Sequence, residues 1–132
     1  MDMAFTQILN PKLFLSGNFS WYNTTKFYNE LTRQNDPINA PKFKWNFNLT
    51  WQNKSESISA GYRHVDKFTW QDGIWGGEIG PYNLFDLHYK HTFNKNLSLS
   101  VSCLNIFNDI HREIIGGAKM GRQVIMRVST NF

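Results

Sequence analysis

Apolar and polar residues alternate along most of the chain with a period of two. The clearest case is residues 43–52, where one set of alternate positions is apolar and the other is polar. The apolar set is Phe43, Trp45, Phe47, Leu49 and Trp51, and the polar set is Lys44, Asn46, Asn48, Thr50 and Gln52. Because successive side chains of a strand point to opposite faces, we predict a strand here with one apolar face.

The last residues of the chain show the same period. Val124, Met126, Val128, Thr130 and Phe132 alternate with Gln123, Ile125, Arg127, Ser129 and Asn131. This segment predicts a final strand that ends on an aromatic residue within the pattern.

Five further segments predict strands, at residues 3–9, 13–22, 58–63, 84–93 and 97–103. The connections between strands alternate in length. Residues 10–12, 53–56 and 94–96 form short turns, and residues 24–41, 70–81 and 109–120 form long loops. The sequence therefore predicts an all-β protein, an antiparallel up-and-down meander of about seven strands.

Loops sorted by length onto two sides are typical of bacterial outer-membrane barrels. Several predicted strands also approach the ~9–11 residues of a strand that crosses a membrane at a tilt. We therefore predict a partial segment of a transmembrane β-barrel in contact with outer-membrane lipid. Aromatic residues at strand ends are expected at the two membrane interfaces: Trp21, Phe43 and Tyr82 at one, and Trp51, Phe93 and Phe132 at the other.

The composition agrees with such a barrel. The chain has 132 residues, with 16% aromatic and 18% charged residues, and no apolar run reaches the ~18 residues of a spanning helix. Its net charge is +4, but the basic residues are spread singly, so we expect no nucleic-acid partner. The single Cys103 excludes an internal disulfide and a multi-cysteine metal site.

No catalytic, cofactor or metal site is predicted. His88 and His91 have opposite parity on one strand, so they point to opposite faces, and neither His64 nor His111 has a same-face partner at metal-ligand spacing. The sequence also lacks a Ser/His/Asp arrangement and a phosphate-binding glycine loop. An enzyme is therefore not expected.

Several segments resemble one family. They are residues 84–90 and 94–101, the Asn105-Ile-Phe-Asn-Asp-Ile-His-Arg-Glu113 element, the final strand from Gly121, and residues 40–51 after a long loop. Together they resemble the C-terminal end of TonB-dependent outer-membrane receptors. His111 stands where that family often has Tyr.

This resemblance implies a fold and a function. Such receptors are 22-stranded barrels filled by an N-terminal plug. They take up siderophores, haem, cobalamin or glycans with energy passed on through TonB. The final strand resembles the signal that the barrel-assembly machinery reads, which would consist of Val124, Met126, Val128, Thr130 and Phe132 in this chain.

The chain also departs from the family pattern, because it has room for about seven strands and contains no plug. We therefore expect residues 1–132 to be the C-terminal part of a receptor barrel in the bacterial outer membrane. Alone, this part would not transport, and TonB would act only through the absent plug. The sequence does not define the ligand.

Two alternatives remain at this point. One is a small complete outer-membrane barrel with a structural or adhesion role. The other is a soluble lipid-binding β-barrel, in which the apolar face turns inward around a ligand. The sorted loops and the aromatic strand ends favour a membrane barrel.

Overall fold

The computed structural model describes residues 1–31 and 33–131, which form β-strands joined by turns and loops. In this part of the chain, no helix is long and apolar enough to cross a membrane. The strands are β1 (Asp2–Asn10), β2 (Leu13–Trp21), β3 (Lys26–Asn29), β4 (Gln34–Pro37), β5 (Phe43–Gln52), β6 (Glu56–Val65), β7 (Phe68–Asp72), β8 (Trp75–Ile79), β9 (Tyr82–Asn94), β10 (Leu97–Leu104) and β11 (Gln123–Thr130).

Seven strands form one antiparallel sheet in the order β1-β2-β5-β6-β9-β10-β11. Neighbours in this sheet also follow one another in the chain, apart from two short hairpins that leave the sheet. The predicted meander of about seven strands is confirmed. Connections on one side are short and those on the other side are long, as the sequence indicated. The sheet is open, with β1 and β11 at its two edges.

The register of the sheet gathers the apolar residues on one face. Residues directly opposite each other in an antiparallel pair share a face. Phe47 lies opposite Gly17 and Tyr62, and Cys103 lies opposite Leu87 and Val124. We call this side the apolar face. The other side is the polar face, to which Asn46, Arg63 and Asp86 belong.

The apolar face is not covered by any other layer of the described chain. Phe47, Leu49 and Leu87 are each about two-fifths exposed, and Val124 and Met126 are more than two-thirds exposed. Soluble monomers rarely leave so large an apolar patch in water. The sheet therefore lacks the second layer that a soluble domain would place on this face.

Buried apolar residues gather instead at the long-loop end of the sheet. Val65, Ile79, Tyr82 and Leu84 form a small core, with Phe68, Trp70 and Ile115 packed against it. This core joins the ends of β6 and β9 to the β7–β8 hairpin. Through Ile115 it also contacts the loop that precedes β11. None of its residues covers the middle of the apolar face.

Two of the expected long loops contain hairpins. β3 pairs with β4 through Phe27 and Asp36, and β7 pairs with β8 through Asp72 and Trp75. The strands have only four or five residues, too short to reveal a period of two. The second hairpin does carry a local signal, because Asp72-Gly73 is a turn dipeptide and Gly73 has φ of 56°.

The two hairpins are joined by one side chain. The Asn39 amide donates to the carbonyl oxygen of Gln71 (2.7 Å) and accepts from the Gln71 N–H (2.8 Å). The Asn39 side chain thus makes the two hydrogen bonds with the Gln71 backbone that a residue of a neighbouring strand would make.

Gly17 is required where two aromatic rings meet over β2. The rings of Phe5 and Phe47 lie with centroids 6.0 Å apart. A methyl group at position 17 would lie 2.6 Å from Cδ1 of Phe47, 2.8 Å from Cε1 of Phe5 and 2.9 Å from the carbonyl oxygen of Asn46. Glycine therefore lets both rings pack onto the backbone.

We predict that Gly17→Ala destabilises the sheet by about 1–3 kcal/mol, the usual cost of overpacking. Gly61→Ala is the matched control, because a methyl group there meets nothing closer than 3.5 Å. Urea unfolding of the detergent-refolded chain, followed by Trp fluorescence, measures both variants. Equal stability of the two variants would contradict the packing described for Gly17.

Candidate ligand-facing wall and closing turn

The polar face is a hydrogen-bonded surface rather than a set of isolated polar groups. The Asn46 amide donates to Oδ1 of Asn18 (2.8 Å). Thr50 and Ser59 share a hydrogen bond of 2.6 Å across β5 and β6. Further along the sheet, Nδ1 of His88 lies 2.9 Å from Oγ of Ser102. Such a surface is compatible with water or a polar ligand and incompatible with hydrocarbon.

Charge on this face centres on Asp86. Its Oδ2 lies 3.8 Å from the guanidinium of Arg63, and its Oδ1 accepts the backbone N–H of Asn105 (2.8 Å). The Asp86 side chain is mostly buried, whereas that of Arg63 is about half exposed. Arg63, with its guanidinium half exposed and no hydrogen bond to a described residue shorter than this 3.8 Å contact, has donors to offer a ligand, while Asp86 is held by the Asn105 N–H.

An open cavity of about 680 Å³ lies at the long-loop end of the sheet, and its lining includes Lys44, Asn46, Arg63 and Glu113. It brings two cationic side chains, two amides and two carboxylates to one site, because Asn18 and Asp2 also line it. This arrangement can hold a polar or anionic group by hydrogen bonds and ion pairs.

Asn105 ends β10 with a tight turn. Its φ is 53°, in the left-handed region that Asn tolerates better than most residues. Its side chain donates from Nδ2 to the carbonyl oxygen of Asp109 (2.9 Å) and accepts at Oδ1 from the Asp109 N–H (2.9 Å). Asn105 is 4% exposed, so these bonds lie out of water. We call residues 105–109 the closing turn.

The closing turn binds neighbouring parts of the sheet together. The Asp109 carboxylate accepts the backbone N–H of Asn83 at the start of β9 (2.9 Å). Asn108, with φ of 57°, accepts the N–H of Arg122 just before β11 (2.8 Å). The ring of Phe107 packs edge-on against Phe85 at 5.7 Å. The resemblance pointed to this segment, but only the structure shows that it joins β9 to β11.

Tyr82 does not lie where the sequence analysis placed it. It pairs with Val65 on the polar-face side of the sheet, is only 6% exposed, and stacks on His111 with centroids 4.2 Å apart. It is therefore not an exposed interface aromatic of the apolar face. Its parity, shared with Leu84 and Asp86, already carried this information.

The sequence analysis noted His111 as a replacement for a family Tyr and found no same-face metal-ligand partner for it. In the structure its Nδ1 bonds the carbonyl oxygen of Asp109 (2.8 Å), and a backbone bridge to Met120 closes the loop beyond it. Its Nε2 is buried without a hydrogen-bond partner and lies 3.7 Å from the Glu113 carboxylate. The imidazole thus supplies a stacking plane for Tyr82.

The other predicted interface aromatics lie at strand ends on the apolar face. Trp21 and Phe43 pair with each other at the long-loop end. Trp51 lies opposite Leu13 at the short-turn end, and Phe93 is exposed at the end of β9. Phe132 lies outside the described residues. Interface contact remains a prediction for all of them except Tyr82, which we withdraw.

The predicted assembly residues share one face of the edge strand β11. Val124, Met126 and Val128 lie opposite Cys103, Val101 and Leu99, and Thr130 lies opposite Leu97. The first three side chains are 63–69% exposed. These side chains are therefore accessible in the structure. Their recognition by the barrel-assembly machinery stays a prediction.

Among the described residues, no three His, Cys, Asp or Glu side chains come close enough to hold a metal ion. His88 lies on the polar face and His91 on the apolar face, where it contacts Glu56 at 3.7 Å.

A family model described as TonB dependent receptor-like, beta-barrel, matches residues 2–106. The chain belongs to this family. Its members are receptors and transporters of the bacterial outer membrane, so the chain is an outer-membrane protein. This membership argues against the soluble lipid-binding barrel. No curated protein matches the chain.

Solved TonB-dependent receptors share the fold. The ferric enterobactin receptor PfeA of Pseudomonas aeruginosa is 20% identical, with a TM-score of 0.77 over 99% of this chain and 22% of its own. The copper transporter OprC is 15% identical, with a TM-score of 0.76 over 99% and 23%. The ferric-catecholate import receptor Fiu of E. coli K12 is 16% identical, with a TM-score of 0.73 over 99% and 20%. The chain thus spans about a fifth of each.

We predict that Asn105→Ala destabilises the chain more than Asn105→Gly does. Both variants leave the N–H of Asp109 without a partner, at about 1–3 kcal/mol, whereas its carbonyl oxygen keeps the bond to Nδ1 of His111. Alanine adds roughly 1–2 kcal/mol because its Cβ disfavours the left-handed conformation, which glycine adopts freely.

Asn23→Ala, at an exposed position, serves as the control. Unfolding midpoints in urea should rank control, glycine and alanine variants in falling order. An alanine variant as stable as the control would show that the closing turn is not held by Asn105.

Proposed function

We propose that the chain is the C-terminal wall segment of a TonB-dependent receptor that takes up a scarce nutrient with energy from the inner membrane. The observation that carries this proposal is the two-faced sheet of a family member. Seven strands expose apolar residues on one face and a hydrogen-bonded polar surface on the other. The apolar face would contact lipid, and the polar face would line the receptor interior.

The ligand class is proposed from the interior surface and the structural neighbours. Two neighbours are by their names a ferric enterobactin receptor and a ferric-catecholate import receptor, and another is a copper transporter. Lys44 and Arg63 in the cavity lining would donate hydrogen bonds to the oxygen atoms of a ligand such as a ferric siderophore. Haem, cobalamin and glycans are the other candidates within this function.

The segment would not transport by itself. β1 and β11 each have one edge without a partner among the described strands, and open edges are not tolerated in hydrocarbon. We propose that further strands of the receptor pair with both edges, and that TonB acts through a plug outside this segment. The row Val124, Met126, Val128 and Thr130, continued by Phe132, is proposed as the signal for the barrel-assembly machinery.

Deletion of the reading frame that encodes the chain, in its own bacterium, tests this function. We predict loss of energised uptake for one member of a panel of radiolabelled ferric siderophores, haem, cobalamin and oligosaccharides. The complete frame should restore uptake, whereas a frame lacking residues 1–132 should not. Disruption of TonB should abolish the same uptake. Wild-type uptake of the whole panel by the deletion strain would contradict the proposal.

A further inference from the structure

The net positive charge of the chain is confined to the short-turn half of the sheet. The long-loop half and its loops hold nine basic and nine acidic residues, which cancel. The short-turn half holds one acidic residue, Glu56, against five basic residues, which together account for the net charge of +4. These five are Lys12, Lys54, Lys90, Lys95 and Arg127.

Three of these bases share one structural position. Each short turn begins with an Asn whose Oδ1 accepts the backbone N–H two residues later, at 2.8 or 2.9 Å. Each turn then presents one exposed lysine. The lysines are Lys12, Lys54 and Lys95, after Asn10, Asn53 and Asn94. In each turn the Asn side chain stabilises the backbone, and the Lys side chain places one positive charge at the tip.

The three turns form a continuous edge. The Gln52 N–H donates to the carbonyl oxygen of Lys12 (2.8 Å), and the Thr92 N–H donates to that of Ser55 (2.7 Å). Successive turns are separated by two strand spacings, roughly 10 Å. That is close to the Debye length of about 8 Å in physiological salt. The lysines therefore act on a nearby surface as one row of charge.

No described carboxylate neutralises this row. Glu56 is the one acid at this edge, and its oxygens accept from the Tyr89 hydroxyl (3.2 Å) and the Asn53 amide (3.3 Å). Its contact with a basic side chain is to His91 at 3.7 Å. None of the three lysines forms an ion pair with a residue of the described ranges, so their charge is free for an external anion.

We propose that the short-turn edge binds the phosphate groups of anionic glycerophospholipids, such as phosphatidylglycerol. The proposal rests on the proposed membrane-spanning sheet, because the lysines then lie at the headgroup level. Trp51 and Phe93 lie at the same end of the apolar face, where aromatic rings occupy the membrane interface. Acyl chains would pack on the apolar face while phosphates meet the lysines.

Quenching of Trp51 by brominated lipids tests this binding. The complete receptor that contains this segment is reconstituted into vesicles with Trp51 as its sole Trp, after replacement of Trp21, Trp45, Trp70, Trp75 and every Trp outside the segment by Phe. We expect brominated phosphatidylglycerol to compete for the site about fivefold better than brominated phosphatidylcholine, the effect of one lysine at an anionic surface. Salt at 1 M should reduce the preference, because it shortens the Debye length to about 3 Å.

Matched variants separate this edge from the total charge. K12Q/K54Q/K95Q should lose the preference for phosphatidylglycerol. K26Q/K42Q/K119Q removes the same charge from exposed lysines on the long-loop side, and this variant should retain the preference for phosphatidylglycerol. K12R/K54R/K95R keeps the charge of the edge and should retain the preference as well. Equal quenching by the two lipids, or a preference that survives K12Q/K54Q/K95Q, would overturn this inference alone. Failure of brominated phosphatidylcholine to quench Trp51 would overturn the membrane-spanning sheet as well.

Discussion

In the proposed membrane setting, the seven-stranded sheet of this chain depends on how strands satisfy their backbone hydrogen bonds where no water is available. In hydrocarbon, each N–H and C=O must find its partner in a neighbouring strand. A continuous antiparallel ladder meets that demand, and it fixes side chains alternately on two faces. In the proposed membrane setting, lipid would take the place of a second layer of protein on the apolar face. This would explain a sheet of seven strands with only a small core at one end.

The same constraint explains which parts of the fold could be predicted from the sequence. β5 and β11 show a plain period of two, because one face of each strand is apolar and the other is mostly polar. The β3–β4 and β7–β8 hairpins lie outside the sheet, so no membrane imposes alternation on them. Tyr82 was assigned to an interface because it is aromatic and lies at a strand end. Aromatic residues also occur in the small core, and the position of Tyr82 in the alternation already placed it on the polar-face side. Phe132, outside the described residues, leaves the last position of the pattern untested.

The candidate site was only partly predictable for a related reason. The polar face follows from parity alone, since alternate positions of paired strands put Asn46, Arg63 and Asp86 on one side of the sheet. The closing turn depends on contacts between distant segments: Asn105 with Asp86, Asp109 with Asn83, and Asn108 with Arg122. No local pattern encodes such contacts. They make the closing turn a connector across β9, β10 and β11, and they anchor the wall that would face a ligand.

Spin-label accessibility along β11 tests most directly whether lipid replaces the missing layer. Single nitroxide labels at positions 123–129 of this segment, within the complete membrane-reconstituted receptor, would be exposed in turn to molecular oxygen, which concentrates in lipid, and to a water-soluble nickel chelate. Oxygen accessibility should peak at positions 124, 126 and 128, with the nickel chelate favouring 123, 125, 127 and 129. A profile without a period of two, or one with the opposite phase, would contradict a sheet whose apolar face meets lipid.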